Sequence, residues 1–139
     1  MALLHWRENL SVGVPAIDKD HRQLIDALNQ LHVSVVLADN PAVIVEAMSA
    51  LVHAEIEHFR REEALMRMAN YPGLAAHSDI HRQMAKRAGD MEASFRKQLH
   101  LRRLHTFCGG VADWLLLHVL QEDVKLRPFV AHLPEAQAA

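Results

Sequence analysis

Along most of the chain apolar residues recur at steps of three and four, the spacing of one face of an α-helix. A first stripe is Leu24, Ile25, Leu28, Leu31 and Val35. Capped by Asp18 or Asp20, it predicts a helix to about Ala38. An arm over residues 1–17 precedes it, where Gly13 and Pro15 argue against regular helix. Asn40-Pro41 reads as the N-cap and first position of a second helix running to about Met68. Asn70-Tyr71-Pro72-Gly73 is a turn, and a third helix runs from about Leu74 to about His100. Residues 97–106 hold no Gly or Pro, so the next break is weakly marked; it is placed near residues 100–104. A fourth helix continues to about Glu122, with Pro128 as its outer limit. Helices joined by short links predict an all-α fold, an antiparallel up-down four-helix bundle. Gly109-Gly110 conflicts with the fourth helix, each glycine costing about 1 kcal/mol relative to alanine. Close approach of a neighbouring helix is the plainer explanation, and room for a small-ligand path the sharper one.

The seams of these helices carry polar residues where a bundle expects apolar ones. On the second helix the seam is Met48, Leu51, Glu55, His58, Glu62 and Leu65. On the third it is His77, His81, Met84, Ala88, Met91 and Phe95. On the fourth it is Leu104, Phe107 or Cys108, Val111, Trp114 or Leu115, then His118. His21 begins the first stripe. Burying an unpaired imidazole or carboxylate is costly, and any single case reads as a satisfied core residue. Antiparallel pairing, however, brings all of these groups to one end of the core and leaves the rest apolar. That is what a metal site needs, and scattered core histidines would not produce it. Imidazole and carboxylate ligands suit zinc, iron, manganese or copper. His58/Glu62 and His77/His81 each place two such groups on one helical face. His118 and Asp123 lie about 140° apart on an ideal helix at roughly 100° per residue, so a wide turn, π-bulge or helix end is expected between them.

Composition narrows the class. The chain has 139 residues, 50% hydrophobic and 23% charged, which suits a single domain over residues 1–139 and excludes a disordered chain. Its parts are the arm, a bundle over about residues 18–130 and a tail over 133–139 that is expected to fray. A formal net charge of -2 without basic runs gives no support to nucleic-acid binding. No apolar run approaches a membrane span, and residues 1–6 lack the features of a signal peptide, so a cytoplasmic monomer is expected. The single cysteine, Cys108, reads as a small core residue. Eleven histidines are several times the usual share.

These motifs together resemble the bacterial hemerythrins (bacteriohemerythrins), a family of non-haem diiron oxygen-binding proteins. The resemblance covers nearly the whole chain. W-x4-SVGVPAIDKDHRQL, from Trp6 to Leu24, resembles the family's arm and first ligand. HFRREEALM followed by YPGLAAHSDIHRQM resembles its His-x3-Glu and His-x3-His motifs, and WLLLHVLQED its final His-x4-Asp. The resemblance implies one iron held by His77, His81 and His118 and another by His21 and His58. Glu62 and Asp123 would bridge both, together with an oxo or hydroxo group. It also implies one open coordination position, on the iron with two histidines, where dioxygen would bind. Trp114, Leu115 and Val119 match positions that shape the family's oxygen pocket, and each also reads as plain core packing. Leu126 and Met84 depart from the family's commoner aromatic residues without touching the ligand set. His5, His32, His53, His100, His105 and His132 read as surface or cap residues. Glu55 forms a lone Glu-x-x-His with His58, and reads as support for a ligand or as a partner for an arginine.

The function implied is reversible dioxygen binding for storage, delivery or buffering, by a protein that is not an enzyme. No further domain follows the bundle in this sequence, which sets the expectation of a free carrier, with an unidentified protein as recipient of its oxygen. The alternatives are an oxygen or redox sensor, or a diiron enzyme reducing peroxide or nitric oxide; no residue of the sequence marks itself as a proton donor for the last.

Overall fold

The computed structural model describes residues 2–138. Helices α1 (Pro15–Val36), α2 (Pro41–Met68), α3 (Leu74–Lys97) and α4 (Leu101–Gln121) form an antiparallel four-helix bundle, followed by short helices α5 (Arg127–Val130) and α6 (Pro134–Gln137). No strand occurs among the described residues. None of the described helices is long and apolar enough to cross a membrane.

Local chemistry sets the ends. Asn40 caps α2 by accepting from the Ala42 N–H at 2.9 Å, with Pro41 in the first turn. Asn70 adopts a left-handed backbone (φ 51°), and the Tyr71 N–H closes the end of α2 onto the Met66 carbonyl at 2.9 Å. His100 caps α4 by accepting from the Arg103 N–H, so the break after α3 is the short stretch 98–100, and α3 ends at Lys97 rather than His100. The distortion expected between His118 and Asp123 is a helix end. α4 stops at Gln121, and Asp123 opens a 3-10 turn, Asp123–Leu126.

Three expectations are corrected. α1 begins at Pro15, ahead of Asp18 and Asp20. Proline is tolerated at the first helical position because its missing N–H has no intrahelical partner there, and Gly13 (φ 74°) makes the bend before it. Asp18 instead ties down the arm, accepting from the Ser11 hydroxyl and the Val12 N–H. The tail is ordered at Pro134–Gln137, where Ala136 is buried in the core. His32 is buried rather than superficial, its ring centroid 5.4 Å from that of His105.

Two apolar clusters occupy the interior. One joins the arm (Leu10, Val12, Val14) to Ile17, Leu24, Leu65, Leu115 and Val119. The other joins Leu28, Leu31, Ile44, Met48, Phe95, Leu104 and Cys108. Burial pushes the Cys108 thiol up to about 12, which suits its place as a core residue. α2 lies close to α1 and α3, and α1 close to α4, but α3 and α4 have almost no close backbone approach. The Gly109-Gly110 pair is therefore not explained by a neighbouring helix: apart from the adjoining residues and backbone of α4 itself, nothing lies within 4 Å of where either Cβ would stand.

Candidate metal centre

The helical period delivers the polar seam residues inward. His21 of α1, His58 and Glu62 of α2, His77 and His81 of α3 and His118 of α4 are all buried, as is Asp123 beyond α4. They meet in two groups that share two members. Glu62, His77, His81, His118 and Asp123 form one, and His21, His58, Glu62 and Asp123 the other; within each, one ligand atom per residue lies within 4.8 Å of the others. The seven residues that the family resemblance implies as ligands are the seven that the structure brings together here.

The carboxylate oxygens divide between the groups. Glu62 Oε1 lies 2.8 Å from His77 Nε2 and 3.2 Å from His81 Nε2, while Oε2 lies 3.2 Å from His58 Nε2. Asp123 Oδ1 lies 3.0 Å from His77 Nε2 and 2.9 Å from His118 Nε2, while Oδ2 lies 2.9 Å from His21 Nε2. Each carboxylate therefore offers one oxygen to the three-imidazole side and the other to the two-imidazole side. Several of these atoms are close without hydrogen-bond geometry. Both Glu62 oxygens, Asp123 Oδ1, His58 Nε2 and His77 Nε2 are buried and have no hydrogen-bond partner. Buried polar atoms are normally paired, so a cluster of orphans aimed at common points fits a pair of cations. Five imidazole nitrogens with two shared carboxylates form a donor set for transition-metal ions.

Electrostatics agree with a strongly interacting set. Burial would depress the His58 imidazole, but the Glu62 charge and the hydrogen bond to Asp20 outweigh it and push it up to about 10. Burial likewise opposes the charge on His77, which the Asp123 and Glu62 carboxylates raise to about 9. Burial and the neighbouring Glu62 would raise Asp123, yet the imidazoles of His118, His21 and His77 hold it well below the usual carboxylate range. Imidazoles must lose such protons to ligate a metal, so cations and protons compete for these sites.

A supporting layer orients the rings. Asp20 pairs with His58 Nδ1 at 3.1 Å and is itself gripped by Arg61, whose Nη2 stands 2.7 Å from Asp20 Oδ1. Glu63 pairs with His81 Nδ1 at 3.0 Å. Carboxylates in this position fix the ring and raise its basicity as a ligand. Phe59 stacks on His81 with centroids 4.1 Å apart, and Trp114 on His118 at 4.6 Å. Arg61, Glu63 and Phe59 escape a reading of inward seams; their signal is adjacency to ligating residues, since a neighbour on the helix is offset by about 100° and meets the next ring from the side.

The pocket trio separates. Leu115 and Val119 line a small apolar cavity beside His21, about 10 Å³, on the two-imidazole side. Trp114 instead stacks on His118 and borders a larger groove between α3 and α4. Glu55 is buried but meets neither a ligand nor an arginine; among the described residues it has no hydrogen-bond or ion-pair partner, and it lines the same groove. Burial pushes its carboxyl up to about 7, against the opposing pull of His58.

Comparison with known proteins gives a consistent result. Residues 12–130 match the family model described as the hemerythrin HHE cation binding domain. A bacteriohemerythrin of Stenotrophomonas maltophilia is 35% identical over 124 residues, 88% of this chain and 78% of that protein. Myohemerythrin-1 of Phascolopsis gouldii is 23% identical over 122 residues, 88% of this chain and 90% of that protein. A crystal structure of wild-type hemerythrin superposes with a TM-score of 0.85 at 26% identity, covering 94% of this chain and 99% of that one.

Proposed function

The chain belongs to the hemerythrin family, and from that premise we propose that it binds dioxygen reversibly at two non-haem iron ions. His77, His81 and His118 would hold one ion and His21 and His58 the other, with Glu62 and Asp123 bridging them. The observation that carries this reading is the division of each carboxylate's oxygens between the two imidazole groups. The iron pair would supply the electrons for reversible oxygen binding. The protein's own part is to hold, orient and keep dry. Asp20 and Glu63 fix the His58 and His81 rings. Leu115 and Val119 keep the two-imidazole side apolar, next to the small cavity beside His21. Phe59 and Trp114 cover the three-imidazole side. Excluding water from such a site suppresses side reactions that would end the reversible cycle. This is the work of a binder for storage, delivery or buffering rather than of an enzyme.

The test is metal content on anaerobically purified protein, then a visible spectrum through repeated cycles of air and oxygen removal. We expect two irons per chain and a charge-transfer band that appears with air and vanishes without it. Two irons that oxidise irreversibly, or that consume peroxide or nitric oxide catalytically, would replace the carrier reading with a sensor or an enzyme. Zinc in place of iron would overturn it.

A further inference from the structure

Beyond the centre, a groove of about 640 Å³ lies between α3 and α4. That is within the range of small-molecule sites, roughly 300–1,000 Å³. It exists because the two helices stand apart and because Gly110 puts no side chain into it. Its walls are apolar: Met84, Ala88 and Met91 from α3, and Phe107, Val111 and Trp114 from α4.

The groove is polar at its two ends and differently at each. Arg102 and Trp114 stand about 18 Å apart along α4 at the ordinary helical rise. At the outer end lie Arg102 and Arg103, while Arg87 lines the groove further in, from α3; all three are exposed, and none has a carboxylate partner among the described residues. Asp90, the nearby acid, is taken by Lys86 at 2.7 Å. At the inner end, beside Trp114, is Glu55, 4% exposed and unpartnered. Other buried carboxylates have neighbours that account for them: Asp18 accepts from a hydroxyl and an amide, Asp20 faces a guanidinium and an imidazole, and Glu62 and Asp123 stand among the imidazoles of the candidate metal centre. A buried polar group without a partner is costly, and one turned into an accessible groove is satisfied by whatever enters.

We propose that this groove binds an amphipathic organic anion. Its carboxylate would pair with the arginines at the outer end, its apolar body would lie along the methionines and aromatic rings, and a hydroxyl at its far end would bond to Glu55. A cation would be repelled at the mouth. An inorganic anion would leave the apolar walls wet, and a plain hydrocarbon would leave Glu55 unpartnered. The site is independent of what the metal centre binds.

Calorimetric titration of the iron-loaded protein with ω-hydroxydodecanoate tests this. We expect one site per chain. Dodecane-α,ω-diol, which lacks the carboxylate, should bind at least about tenfold more weakly, since a charge-assisted pair with arginine is lost. Dodecanoate, which lacks the hydroxyl, should bind severalfold more weakly. Gly110→Leu, which places atoms where none now stand, should weaken binding at least about tenfold with iron content unchanged, because the apolar groove is filled. The surface double variant Arg102→Gln/Arg103→Gln should abolish the preference for acid over diol, and it keeps the test open should Gly110→Leu fail to fold. Absence of binding, equal affinity for acid and diol, or multiple sites unaffected by either variant would overturn the proposal.

Discussion

Glu62 and Glu55 sit two turns apart on the same face of α2 and are buried to nearly the same degree, at 1% and 4% exposure. Desolvation acts on both in the same direction, toward the neutral acid. Around Glu62, at the closed end of the core, the imidazoles of His58, His77 and His81 overcome burial and hold the carboxyl well below its ordinary range. Around Glu55, at the inner end of the open groove, no group does so, and it rises to about 7. Depth alone therefore says little about the state of a buried carboxylate. What decides it is whether partners from other helices converge on it, and they do so where α3 comes close to α2 but not where α3 and α4 part.

The comparison is broken most severely by removing the partnered member. Glu62→Ala or Asp123→Ala should reduce iron below one ion per chain by metal analysis, while Glu55→Gln should retain both ions. Normal iron content and oxygen binding in either alanine variant would mean that these carboxylates do not bridge.

The two ends should also titrate differently. His58 and His77 are raised above their ordinary 6.5 to about 10 and about 9. In protein stripped of metal, their contribution to stability is complete below pH 6.5 and is lost as pH rises through 9–10, by on the order of a few kcal/mol. Iron should remove this loss, because the cations then hold the carboxylates in place of the protons. Glu55 is raised from 4.5 to about 7, so its neutral form favours the fold below pH 4.5 and that advantage disappears as pH rises through 7. Glu55→Gln should therefore gain stability relative to the parent at pH 8, by about 1–3 kcal/mol, with no gain at pH 4. Denaturation midpoints against pH, with and without iron, check both windows.

The smallest effect sharpens the picture of the parted helices. Gly109→Ala should stabilise the protein by about 0.5–1 kcal/mol in chemical denaturation, since alanine favours the helix and its methyl meets nothing within 4 Å. A loss of stability would show that another helix does close on α4 at this point.

Much of this organisation was legible in advance. All six seam positions read from the period of α2, Met48 to Leu65, are buried, and the chain's motifs resemble the family to which it belongs. The start of α1 was misread because Gly13 and Pro15 are turn residues in general, and only the surrounding fold shows Pro15 serving as a helix start. The glycine pair leaves two readings open in the sequence, a close helix or open space, for a different reason. A glycine in a helix reports that a side chain is absent, not whether a neighbouring helix fills the gap.

The sequence by itself determined four amphipathic helices, their short connections, and the acidic and imidazole groups each turns inward. These follow from the 3.6-residue period, a local property written along one strand of chain. Only the tertiary structure decided which oxygen of Glu62 and Asp123 faces which imidazoles, that Asp20 and Glu63 hold the rings, and that Glu55 opens onto a groove instead of a partner. Those outcomes depend on the distance and rotation between helices, which arise from interdigitating side chains that lie far apart in the chain.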